Sequence, residues 1–82
     1  MTMSPNPFAG PAEVTVGLTE DSHLTLAVYN TRGRKVATLH DGPLVKGTHA
    51  FKAQLSNQPS GVYLVSGVTP SGRSVLLTVK QD

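Results

Sequence analysis

The sequence predicts an all-β protein, a sandwich of about six to seven antiparallel strands. Three observations predict it. Apolar residues alternate at period two through most of the chain. Turn-forming Gly and Pro clusters separate these runs at intervals of roughly ten residues. No stretch shows the three-and-four recurrence of apolar side chains that an amphipathic helix needs.

Side chains at i and i+2 of an extended chain share a face, so each alternating set marks a strand with one buried side. Val14, Val16 and Leu18 form such a set in AEVTVGL, and Leu24, Leu26 and Val28 in HLTLAVY. His49, Phe51, Ala53 and Leu55 follow in THAFKAQL, then Tyr63 and Val65 opposed to Val62 and Leu64 in GVYLV. The closing run SVLLTVK gives Val75, Leu77 and Val79 as its buried parity. RKVATLHD alone breaks the period, since Val36 and Leu39 have opposite parity. A bulge that re-aims the strand is the preferred reading, and exposure of one of the two is the other. Turns are expected around Gly33 (NTRGR), Gly42 (HDGP), Gly47 (VKGT), Gly61 (QPSG) and Gly72 (TPSG), and PLV after HDGP is a candidate short seventh strand.

Within SNQPSGVYLVSG, Ser56 to Gly67, Tyr63 stands two residues after Gly61. In immunoglobulin-like sandwiches, a tyrosine just past a turn at the start of a late strand folds its ring inward and returns its hydroxyl to upstream backbone. PSGVYLV fits that corner, with Gly61 permitting the sharp approach and Val65 where antibody domains place a cysteine. The plainer alternative makes Tyr63 one more core aromatic.

At 82 residues the chain is one domain with a small core. It has no cysteine, so neither disulfides nor a thiolate zinc site is available. A net charge of +2 and a pI near 9.3 arise in a chain only 15% charged, too weak a bias to argue for nucleic acid or anionic lipid. No apolar run approaches the ~18 residues of a spanning helix, and MTMSPNPF has neither a basic nor an apolar leader region. Residues 1–4 are expected to be a remnant or linker, and residues 5–82 the domain, cut from something longer.

Catalytic chemistry finds no constellation, so no enzyme, cofactor or metal site is expected. Glu20 and Asp21 are the only adjacent carboxylates, and calcium asks for about six to eight oxygens. His23, His40 and His49 lack the short spacing that nucleates a zinc site, and His49, on the inward parity, is expected to be hydrogen-bonded and partly buried. No serine stands in a nucleophile elbow, and no glycine loop carries a phosphate fingerprint. Arg32, Arg34 and Lys35, behind Tyr29, form the densest basic patch, at a hairpin tip. A phosphate site is one reading of it and a solvated tip the plainer one. With no Trp, and only Phe8, Tyr29, Phe51 and Tyr63 as aromatics, a sugar-binding platform is not supported.

PNPF (Pro5, Asn6, Pro7, Phe8), an early alternating strand, LAVYNTRGRKVATL, GPLVKGTHAF, PSGVYLV and a closing apolar strand with a lysine occur in an order that resembles the C-terminal sorting domain of the type IX secretion system. The resemblance covers nearly the whole chain. It implies an immunoglobulin-like sandwich at the C-terminus of a larger secreted protein of Bacteroidota-like bacteria. Such a domain is non-catalytic and directs its cargo through the outer-membrane translocon. In many members a sortase-like peptidase then removes it, and the cargo is attached at the cell surface.

The family's G-R-x-V falls on Gly33, Arg34 and Val36, its G-x-Y on Gly61 and Tyr63, and its terminal lysine on Lys80. Arg34 and Lys80, both exposed by pattern, are thereby candidates for translocon recognition, with Gly33 and Val36. Two departures bear on recognition: Ser66-Gly67 where a basic residue is common, and the acidic end KQD, closing on Asp82. The same motif order resembles the immunoglobulin-like part of flagellar hook-cap proteins, an assembly module. A carbohydrate-binding module is the third reading.

Overall fold

The computed structural model describes residues 1–55 and 57–81, so Asp82 and its acidic ending lie outside the described residues. Seven strands follow one another: β1 (Thr2–Ser4), β2 (Ala12–Leu18), β3 (Ser22–Asn30), β4 (Lys35–Leu44), β5 (Gly47–Ala53), β6 (Gly61–Thr69) and β7 (Gly72–Lys80). They form a three-stranded sheet, β1-β2-β5, and a four-stranded sheet, β4-β3-β6-β7, antiparallel throughout. The chain therefore changes sheet at β2–β3, β4–β5 and β5–β6, as an immunoglobulin-like sandwich requires.

The predicted inward sets fill the space between the sheets. Val14 and Val16 of β2, Leu24, Leu26 and Val28 of β3, Ala53 and Leu55, and Tyr63 and Val65 of β6 are all buried in one cluster. Phe51 is half-buried against it. His49 is half-buried too, its Nε2 2.7 Å from the Val45 carbonyl oxygen.

The irregular segment is bulged twice. Leu26 pairs with His40 but Ala27 with Thr38, and Val28 pairs with Ala37 but Tyr29 with Lys35. One residue is skipped at Leu39 and another at Val36, and both pack against the core. Opposite parities thus reach the same interior, which is what a bulge provides.

Three expectations are corrected. HDGP is not a turn: β4 runs straight through it, pairing Gly42 with Leu24 and Pro43 with His23, so PLV adds no strand of its own. β4 is a sheet edge, where proline is tolerated. The seventh strand is β1, which pairs Met3 with Val14 and buries it, so residues 2–4 belong to the sheet rather than to a linker. Finally, β7 faces inward with Leu76, Thr78 and Lys80, not with Val75, Leu77 and Val79.

The register explains the last correction. Tyr63 pairs with Thr78 and Val65 with Leu76, and directly opposed residues share a face. Once Tyr63 and Val65 point inward, the hydroxyl of Thr78 must be buried, and it needs a partner. Asn6 supplies one: Thr78 Oγ1 donates to Asn6 Oδ1 at 2.9 Å, while Asn6 Nδ2 donates to the Leu77 carbonyl at 3.2 Å.

Phe8 continues that attachment. Its N–H donates to the Val79 carbonyl at 2.9 Å, its carbonyl accepts from Gln81 N–H at 2.8 Å, and it forms a parallel bridge with Lys80. Its ring is 1% exposed. Residues 5–8 are therefore a strap across the open edge of β7, joining the beginning of the chain to its end.

Candidate recognition surface

The β3–β4 hairpin carries Gly33 and Arg34 at its tip, and its shape is written in one residue, Asn30. The Asn30 side-chain Oδ1 accepts from the N–H groups of both Arg32 and Arg34, each at 3.0 Å. Its backbone carbonyl accepts from Gly33 N–H at 3.1 Å, and its own N–H donates to the Arg34 carbonyl at 2.9 Å. Asn30 thus satisfies three successive backbone donors, the local competence that favours Asn in turns. Gly33 sits at φ +81°, a region that disfavours any Cβ, so the glycine is a requirement of this turn.

The arginine side chains are thrown outward by this arrangement. His23 pairs with Asp41, and among the described residues no carboxylate pairs with Arg32 or Arg34. Beside them runs the turn before β6, and Asn30, Arg32 and Arg34 line one cleft together with Pro59, Gly61 and Val62.

That second wall is held by the corner. Tyr63 is buried, and its hydroxyl donates to the Pro59 carbonyl, four residues upstream. Gly61 opens β6 at φ +145°, as the approach to the corner needs. The tyrosine corner read from PSGVYLV is present.

The other candidates separate. Val36 is half-buried against the core, so it anchors the hairpin instead of presenting a surface. Lys80, expected to be exposed, is buried at 6% on the inward parity of β7, beside Phe8 of the strap. Pro5, Asn6, Pro7 and Phe8 form the strap itself. Gly67, one of the two departures from the family pattern, faces inward, and a Cβ there would meet Met1 Sδ at 3.5 Å. A long basic side chain at that position would take the place Met1 occupies. Asn30, which shapes the candidate hairpin, was missed by sequence reasoning; its signal was an Asn two residues before an Arg-Gly-Arg turn.

Two of the acidic side chains, Asp21 and Asp41, are engaged within the domain. Asp21 Oδ1 accepts from Lys46 N–H at 2.8 Å, tying two loops together. No group of three or more His, Asp or Glu able to hold a metal ion occurs among the described residues. His23 Nε2 lies 2.9 Å from Asp41 Oδ1, and this hydrogen bond holds the Asp41 carboxyl below its ordinary 3.8. A carboxyl with a depressed folded value contributes stability above its unfolded value and loses it as pH falls through the folded one. Because the two side chains are 55% and 63% exposed, solvent screens the pair. Asp41→Asn is therefore expected to leave the urea midpoint at pH 7 nearly unchanged. A clear drop would show that this pair fastens β3 to β4.

Fold and surface together define an immunoglobulin-like module whose distinctive side chains, a fixed basic hairpin and a bound N-terminal strap, stand at its exterior and its edge. The sequence matches the secretion system C-terminal sorting domain family over residues 2–77, and the chain belongs to that family. It is thus a sorting signal for type IX secretion, and it marks its polypeptide for the cell surface or beyond the outer membrane. No curated protein and no solved structure matches the chain.

Proposed function

We propose that this domain carries a larger cargo polypeptide through the outer-membrane type IX translocon, and that the translocon reads the folded sandwich at the β3–β4 hairpin. After passage, a sortase-like peptidase removes the domain or leaves it as part of a surface anchor. The observation that carries this reading is the hairpin tip: three backbone N–H groups fixed on Asn30, with the Arg34 side chain exposed and, among the described residues, no carboxylate paired to it. A rigid, exposed cation can steer docking without contributing to the core.

Lys80 takes a different part in this account. It belongs with Phe8 and Gln81 to the closure of the strap, so removing the end of β7 disturbs the fold and cannot isolate recognition. Arg34→Ala can. In a type IX-competent host, this variant of a periplasm-targeted reporter fusion is expected to lose most of its export while its melting temperature stays within a degree or two of the parent. Full export of a stable Arg34→Ala fusion would remove the hairpin from the recognition surface.

A further inference from the structure

The inward turn of Leu76, Thr78 and Lys80 leaves the other side of β7 without a buried role. Val75 is 56% exposed and Leu77 59%, with Val79 beside them. The register aligns these residues with β6: Val62 opposes Val79, Leu64 opposes Leu77, and Ser66 opposes Val75. Tyr29 of β3 opposes Leu64 and extends the row. Directly opposed residues on one face are neighbours, so Val62, Val79, Leu64, Leu77 and Tyr29 form an apolar strip that Ser66 bounds opposite Val75. Strips of this kind on a small domain mark a docking surface.

The strip does not end in neutral surface. Val62 is also a wall of the cleft that holds Arg32 and Arg34, so the apolar face runs directly into the basic hairpin. Lys35, opposite Tyr29, also lies at that end, although its charge already acts on Asp41 within the domain. This chain's own Glu20 and Asp21 lie in the β2–β3 turn, at the opposite end of β3, and Asp21 is already engaged by Lys46 N–H. Among the described residues no carboxylate pairs with Arg32 or Arg34, which leaves their charge open to a partner outside the domain. We infer that the outer face of β6 and β7, together with the Arg32–Arg34 cleft, forms one docking site for a protein segment of the export machinery that presents an apolar row ending in carboxylates. This rests on the sorting reading and extends its recognition surface from the hairpin tip to the sheet behind it.

Leu77 and the arginines are the residues to change, since neither contributes to the interior. Export of reporter fusions carrying the full chain is compared for the parent, Leu77→Ser, Arg32→Glu with Arg34→Glu, and Lys52→Glu on the exposed side of β5. The Leu77 and double-arginine variants are each expected to reduce export at least tenfold with unchanged melting temperature, and Lys52→Glu to export like the parent. If the parent is exported and Leu77→Ser is exported equally well, the inferred site is wrong although the sorting reading stands. A parent that is not exported overturns both.

The chemistry of the occupant is read separately with a photo-crosslinking residue at position 77. The crosslinked peptide is expected to come from the type IX machinery and to carry Asp or Glu beside apolar residues. The crosslink should vanish in the double-arginine variant and return when those carboxylates are changed to lysine. A crosslink to the cargo or to a segment without carboxylates would overturn the inference. So would a dimer, seen by sedimentation, that Leu77→Ser dissolves.

Discussion

Phe8→Ala is expected to lower the unfolding free energy by about 3–5 kcal/mol, the usual cost of emptying the place of a fully buried aromatic ring. The total for a domain of this size is about 4–12 kcal/mol, so the loss is roughly a quarter of it or more. The effect is large because Phe8 does two jobs. Its ring is among the largest fully buried side chains, and its backbone holds Val79 and Gln81. Emptying the site frees both ends of the chain together. Urea denaturation checks this, and a loss below about 1 kcal/mol would mean that the strap lies on the sandwich without holding it.

Tyr63 should show a graded response. Tyr63→Phe keeps the ring and removes the hydroxyl that donates to the Pro59 carbonyl, at an expected cost of about 1 kcal/mol. Tyr63→Ala also empties the interior position and should cost about 3–5 kcal/mol. For a domain of this length each kcal/mol lowers the melting temperature by about 4–8 °C, so the two variants are easily resolved. An unchanged midpoint for Tyr63→Phe would show that the ring packs while its hydrogen bond contributes nothing.

The sheets were legible where one face of a strand is apolar and the other is not. Val14 and Val16, Leu24, Leu26 and Val28, and Tyr63 with Val65 could be assigned inward from alternation alone, and Val36 with Leu39 announced their bulges by conflicting parity. β7 was misread because both its faces carry apolar residues. Its orientation depends on a register with β6 and on Asn6, 72 residues from Thr78 along the chain, and no local pattern encodes such a pairing. Lys80 was placed outside by the same strand pattern, and it followed β7 inward. Gly42 looked like a turn because Asp-Gly-Pro is turn chemistry, but pairing with β3 at a sheet edge overrode it.

The candidate recognition surface was legible in the same uneven way. Gly33 and Arg34 stand where the sequence put them, exposed on a tight hairpin. Their rigidity could not be seen, because it comes from Asn30 accepting two N–H groups through one side-chain oxygen. The apolar strip on β6 and β7 was hidden by the parity error: the residues assigned to the core are those at the surface.

The central claim is that this folded domain is itself the export signal. It is tested most directly by fusing residues 1–82 behind a periplasm-targeted fluorescent protein in a type IX-competent host and in the same host lacking the outer-membrane translocon. The fraction of reporter outside the outer membrane is then measured. The account predicts that most of the intact fusion reaches the surface or medium in the first host and that it stays periplasmic in the second. A fusion that is folded and undegraded, yet remains periplasmic in both, would contradict it.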